Sequence, residues 1–159
     1  MSGGADQPTG PSLKARALRY LSRREHSRVE LGRKLAPHAP DAGTLDALLD
    51  DLQTHGWLSD ARFADSVVRT RASRYGWRRL QADLSHKGVD ADTAAEALHP
   101  LRDTEEARAR DWWQRKFGEP PATLQERARQ FRHLLSRGFG AEVVQRVVPA
   151  VTPSPPTED

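Results

Sequence analysis

Apolar residues recur along this chain at helical spacing. Leu45, Leu48, Leu49 and Leu52 follow the i, i+3, i+4, i+7 pattern of one buried helix face. Leu124, Ala128, Phe131 and Leu135 follow it too, as do Ala109, Trp112, Trp113 and Phe117, so these faces are expected to be buried. No run of alternating Val, Ile or Thr bounded by turn residues predicts a strand. The punctuation is also helical. Ser27 to Glu30 and Thr123 to Glu126 read as capping boxes, and Asp103 to Glu106 resembles one. Gly56, Gly88, Gly118 and Gly138 each follow an apolar-periodic stretch and can supply the left-handed residue that ends a helix. Pro37, Pro100, Pro120 and Pro149 stand where a helix must already have stopped. Nine helices are predicted, over 13–24, 28–35, 45–55, 60–74, 77–87, 91–99, 104–117, 124–137 and 141–148.

The helices repeat. Leu84-Ser85-His86-Lys87-Gly88-Val89 matches Leu134-Leu135-Ser136-Arg137-Gly138-Phe139 at an offset of 50 residues. Ala94, Ala97 and Leu98 then fall on Val144, Val147 and Val148. A weaker echo places Glu30-Leu31 and Leu35 on Arg79-Leu80 and Leu84, followed by a longer, Pro-rich loop over 36–43. The expected fold is all-α, an elongated, curved array of three tandem three-helix repeats over 12–58, 59–102 and 103–151. Each unit is too small to be comfortable alone and gains by stacking on a neighbour. Residues 1–11 and 152–159 are rich in Gly, Pro and Ser and are expected to be disordered tails.

Composition supports this picture. Hydrophobic residues make up 36% of the 159 and charged residues 30%, thin for one thick core. There is no cysteine, which removes disulfides, thiolate catalysis and cysteine-ligated metal. The N-terminal residues lack the apolar stretch of a signal peptide, and no run approaches the roughly 18–20 apolar residues of a membrane span. A soluble, cytoplasmic protein, most simply a monomer, is expected.

Charge is informative by its placement. The net charge is only +3, and 21 of the 25 basic residues are Arg. Residues 13–35 carry a balance of +6, 41–65 of −5, 69–87 of +5 and 105–137 of +3. An acidic segment thus lies between basic ones. Such runs can be plain solvated helix faces, or together a surface for a polyanion, for which the planar Arg fork is well suited.

Catalytic motifs are missing. The sequence has no Gly-rich phosphate loop and no His-Glu-x-x-His. The six His residues are scattered, with His99 and His133 expected at helix ends or facing solvent. Asp46, Asp50 and Asp51 cluster, but on the wet side of the Leu45–Leu52 helix. Neither a metal nor another cofactor is expected. Trp57 and Trp77 stand at helix boundaries suited to a hydrophobic clasp. Trp112 and Trp113 are adjacent, so one points into the core and the other to a repeat junction or a binding face.

The chain resembles the RecX family of recombination regulators. The resemblance rests on Leu58-Ser59-Asp60, Phe63-Ala64, the basic run Arg69 to Arg74, Gly76-Trp77-Arg78-Arg79-Leu80, Leu84 and Lys87-Gly88-Val89. It reaches back through Tyr20-Leu21, Ser22-Arg23-Arg24, Glu30-Leu31 and Lys34-Leu35, and forward to Arg137-Gly138-Phe139. It implies tandem three-helix repeats without enzymatic activity. It also implies binding in the groove of the RecA filament on single-stranded DNA, limiting filament growth, ATPase, strand exchange and coprotease activity. The chain departs from the family in its loop at 36–43, in its Pro-rich tail, and in Gly76, whose offset of 50 lands on Glu126.

For a filament groove lined by phosphates and acidic protein, the candidate contacts are Arg69, Arg71, Arg74, Arg78, Arg79 and Lys87 in the second unit. Arg108, Arg115, Lys116, Arg127, Arg129 and Arg132 are their equivalents in the third. The expected partners are the RecA filament and single-stranded DNA, with duplex DNA a further possibility and no membrane. A helix-turn-helix regulator of duplex DNA is the alternative, although no dimerisation helix is visible. A nuclease built on Asp46, Asp50 and Asp51, or a helical scaffold that makes no nucleic-acid contact, would be the remaining readings.

Overall fold

The structure, a computed structural model, describes residues 10–153 and 155–156. Among these, nine α-helices follow one another without a strand: α1 (Leu13–Arg23), α2 (Arg28–Leu35), α3 (Ala42–Thr54), α4 (Asp60–Arg71), α5 (Trp77–His86), α6 (Ala91–Leu98), α7 (Glu105–Lys116), α8 (Leu124–Ser136) and α9 (Ala141–Val147). Most of the expected tails, residues 1–9, 154 and 157–159, lies outside the described residues. Thr152 is tied down, its amide donating to the Pro121 carbonyl at 2.9 Å. No helix among the described residues is long and apolar enough to cross a membrane.

Boundaries move where side chains compete for the backbone. α3 begins at Ala42 inside the supposed loop, because the Asp41 carboxylate accepts from the Thr44 amide at 2.7 Å and its hydroxyl at 3.1 Å. Pro37 and Pro100 do not end the helical path. Each sits in a short 3-10 turn, Ala36–His38 and His99–Leu101, that prolongs the preceding helix. Gly56, Gly88, Gly118 and Gly138 all have positive φ, between 73° and 89°, as helix-ending residues require.

The chain divides into two compact units, one ending at Asp60 and one beginning at Ala61. In the first, Ala17, Leu31, Leu35, Leu49, Leu52 and Leu58 form the core. Trp57 does not clasp it: the residue is 44% exposed, its ring stacked on His55 with the Lys14 ammonium 5.4 Å from its centroid. The second unit holds two cores. Phe63, Ala64, Leu80, Leu84, Val89 and the inner face of α6 make one; Ala109, Trp113, Leu134, Phe139 and the inner face of α9 make the other. Positions paired by the repeat are buried alike: Leu84 with Leu134, Val89 with Phe139, and Ala94, Ala97 and Leu98 with Val144, Val147 and Val148.

α8 departs from expectation. Its predicted inner stripe is mostly exposed: Leu124 is 78% exposed, Leu135 38% exposed and Ala128 exposed, while Phe131 is half-buried and packs against the core. The buried positions are Leu134 and Gln130, which stand where the second repeat has Leu84 and Leu80. Gln130 occupies that apolar position without penalty because its side-chain oxygen accepts from the Trp113 indole at 2.8 Å. Thr123 caps the helix by accepting from the Glu126 amide at 3.1 Å, while the Glu126 carboxylate takes the Ala122 amide.

Two devices fasten the two repeats of the second unit. The Gly76 amide donates to the Arg137 carbonyl at 2.8 Å, and a Cβ at Gly76 would lie 2.3 Å from the Gly138 oxygen. Only glycine allows the start of α5 to press on the end of α8 so closely. Gly76 therefore has no counterpart at Glu126, since it serves the junction and not the repeat. The second device is Glu105. The expected cap by Asp103 does not form, for Thr104 precedes α7 in helical backbone with no side-chain cap. Instead Glu105, the first residue of α7, is buried and accepts the Trp77 amide at the start of α5 at 3.3 Å. Asp60 likewise accepts the Arg28 amide at the start of α2 at 2.8 Å.

Candidate nucleic-acid interface

The end of α4, the start of α5, the last turns of α7 and the cap of α8 converge on Tyr75 and Trp112. Arg71, Arg79 and Arg137 lie 4.7, 5.3 and 5.0 Å from the Tyr75 ring centroid. Arg137 also lies 4.3 Å from the Trp112 ring, and Arg115 5.5 Å from it. Guanidinium groups stack on such faces because the ring quadrupole is negative there. One carboxylate, Asp83, enters the cluster and takes Arg71 at 2.6 Å and Arg79 at 3.4 Å. Arg115 donates to the Ser73 carbonyl, and neither it nor Arg137 meets a carboxylate among the described residues. The positive excess acts on its neighbours. A hydrogen bond from Arg71, aided by the charges of Arg137, Arg71 and Arg79, holds the Tyr75 hydroxyl below the ordinary phenol range.

His133 belongs to this region and stands in the last turn of α8, at a helix end as expected. It is half-buried, and its Nε2 accepts from the Trp112 indole at 3.0 Å. Burial, then Arg137 and Lys116, lower its proton affinity. Of the tryptophan pair, Trp113 is the buried one and Trp112 the half-buried one, in line with the adjacency argument.

The remaining basic candidates differ in their surroundings. Arg69, Arg74, Arg78, Lys116, Arg129 and Arg132 are exposed. Arg78 lies 5.8 Å from the Trp77 ring centroid. Arg127 and Arg132 line a separate groove with Leu124, Ala128, Phe131 and Gln145, and Arg127 donates to the Pro149 carbonyl at 3.2 Å. Lys87 is half-buried. Arg108 is engaged inside the fold: its guanidinium donates to the carbonyls of Ala72 at 2.7 Å, Tyr75 at 3.0 Å and Leu101 at 3.1 Å. It thereby satisfies backbone oxygens left after the end of α4 and after the turn that follows α6.

Arg137 and Tyr75 were not among the residues expected to form the surface. Arg137 stood out only as the basic half of the repeated Lys/Arg-Gly junction. Its meeting with Tyr75, far away in sequence, follows from the Gly76–Gly138 crossing, which no local pattern announces. The acidic cluster has ordinary partners: Asp50 pairs with Arg28 at 2.6 Å, and Asp51 with His55 at 3.2 Å. No group of three or more His, Asp or Glu among the described residues is arranged to hold a metal ion.

Comparison with known proteins finds three RecX three-helix domains in tandem. Residues 14–52 match the model of the first three-helix domain of RecX, residues 59–98 the second and residues 103–148 the third. The chain belongs to the RecX family. It is 56% identical over 137 residues to the "Regulatory protein RecX" of Leptothrix cholodnii, covering 86% of this chain and 87% of that one. Against the protein of the same name from Ralstonia pickettii the identity is 53%, covering 86% of each. The fold matches the crystal structure of RecX from Lactobacillus salivarius with a TM-score of 0.68 at 23% identity, over 85% of this chain and 91% of that one. These RecX relatives are named as regulatory proteins.

Proposed function

We propose that this chain is a regulator of the RecA recombinase. It binds RecA filaments on single-stranded DNA, lodges in the filament groove, and inhibits filament growth, ATP hydrolysis, strand exchange and coprotease activity without chemistry of its own. In the cell it acts in the cytoplasm and tempers DNA repair and recombination. The observation that carries this reading is the gathering of guanidinium groups from α4, α5, α7 and α8 onto Tyr75 and Trp112, in a chain whose three repeats all match RecX domains. A polymer of phosphates and acidic protein suits such a surface electrostatically.

The test is titration of the chain into RecA–single-stranded DNA filaments with ATP turnover as readout. Turnover should fall with increasing chain and approach zero at saturation. Undiminished turnover across the titration refutes the reading.

A further inference from the structure

We infer that Tyr75 and Trp112, with Arg79, Arg115 and Arg137 seated on them, form a clamp for the phosphodiester backbone of single-stranded DNA. This rests on the reading above and narrows it to one site and one part of the filament.

The geometry supports a phosphate site in three ways. First, Arg137 is held by both rings, 5.0 Å from the Tyr75 centroid and 4.3 Å from the Trp112 centroid. A guanidinium fixed in this way loses less freedom when it meets a phosphate than a freely rotating one. Second, the charge is only partly compensated. Asp83 engages Arg71 and Arg79, while Arg115 and Arg137 face no carboxylate among the described residues. Third, the cluster is fixed by the fold rather than by flexible side chains. The Gly76 amide bonds the Arg137 carbonyl, and Arg108 grips the Tyr75 carbonyl, so the backbone beneath both residues is anchored.

The rings decide which polyanion. Aromatic side chains beside cationic ones accept unpaired bases next to the phosphates they neutralise, whereas a duplex hides its base faces. An acidic peptide could use the guanidinium groups but has no need of the rings. Trp112 and Tyr75 are both half-buried.

The experiment is fluorescence anisotropy of a labelled oligothymidylate with the full chain, in the absence of recombinase. Arg137→Ala and Arg137→Gln are compared with the parent; the second keeps a planar group between the rings if the first disturbs folding, and circular dichroism monitors both. Each variant should bind about ten-fold more weakly, the loss of one charge-assisted contact. The slope of log affinity against log salt should become shallower by about 0.7, the share of one single-strand phosphate. Unchanged affinity and slope for a folded Arg137→Gln overturn the inference. So does a loss seen only with polyglutamate, which would assign the cluster to acidic protein, or a duplex bound more tightly than the single strand. Because recombinase is absent, failure here leaves the ATP-turnover result standing, and the reverse also holds.

Discussion

At the scale of single residues, the core was legible and the junction was not. Leu31, Leu35, Leu80, Leu84 and Leu134 are all fully buried, because a leucine at each of these helical positions has one apolar face to satisfy. Buried polar residues carry no such periodic signal. His26 is 1% exposed, and nothing around it in sequence marks it for burial. Its Nε2 accepts from the Lys34 ammonium at 3.0 Å, so Nδ1 carries the proton and donates to the Arg24 carbonyl at 3.1 Å. The Arg24 guanidinium in turn pairs with the buried Glu30 through two contacts of 2.9 Å. Burial, with the charges of Arg24 and Lys34, lowers the His26 proton affinity below its ordinary value of 6.5. The folded state then binds fewer protons than the unfolded one between the depressed value and 6.5. Stability is full above that window and declines as pH falls through it. His133 is shifted in the same direction and adds to the slope. Melting temperatures measured across this range should fall toward acid, and His26→Gln should flatten the profile. An acid limb of unchanged steepness in that variant would show that His26 titrates as freely in the folded chain as in the unfolded one.

Among elements, helix existence followed from spacing, while helix phase did so only where leucines lined one face. α8 has one regular apolar stripe and one mixed one. The one through Leu124, Ala128, Phe131 and Leu135 is the more regular, yet the fold buries the one through Gln130 and Leu134. The choice is made by α7, whose Trp113 needs a hydrogen-bond acceptor inside the core and finds it in Gln130. Spacing rules count apolar residues and cannot weigh a buried indole N–H. The two phases make opposite forecasts. Leu124→Ser should change stability by no more than about 0.5 kcal/mol, as an exposed substitution does. Leu134→Ala should cost about 2–5 kcal/mol by leaving a cavity. Denaturant melts of both variants check the phase, and a large loss from Leu124→Ser would reverse it.

For the whole molecule, three tandem helical repeats could be read from the offset of 50 residues, and a basic character from the charge runs. Which bases are available to a partner could not, because arginine serves both folding and binding, and composition does not separate the two. Arg108 caps backbone carbonyls and Arg71 pairs with Asp83, whereas Arg69, Arg74 and Arg78 are exposed and form no ion pair with a carboxylate among the described residues. This division makes charge reversal a test of function only at the second kind of position. Changing Arg69, Arg74 and Arg78 together to Glu should leave the helical spectrum intact, since no ion pair is lost and the one ring contact removed, Arg78 on Trp77 at 5.8 Å, lies at the surface. The same variant should lose inhibition of RecA-type ATP turnover on single-stranded DNA, because three attractive contacts become repulsive. Arg71→Glu would instead set two carboxylates against each other at Asp83 and lower the melting temperature as well, so loss of inhibition in that variant alone would say nothing about contact. If the triple variant folds and still inhibits, the outward-facing arginines of the second repeat do not touch the filament. Contact would then have to come from other bases, the ring-held Arg115 and Arg137 first among them.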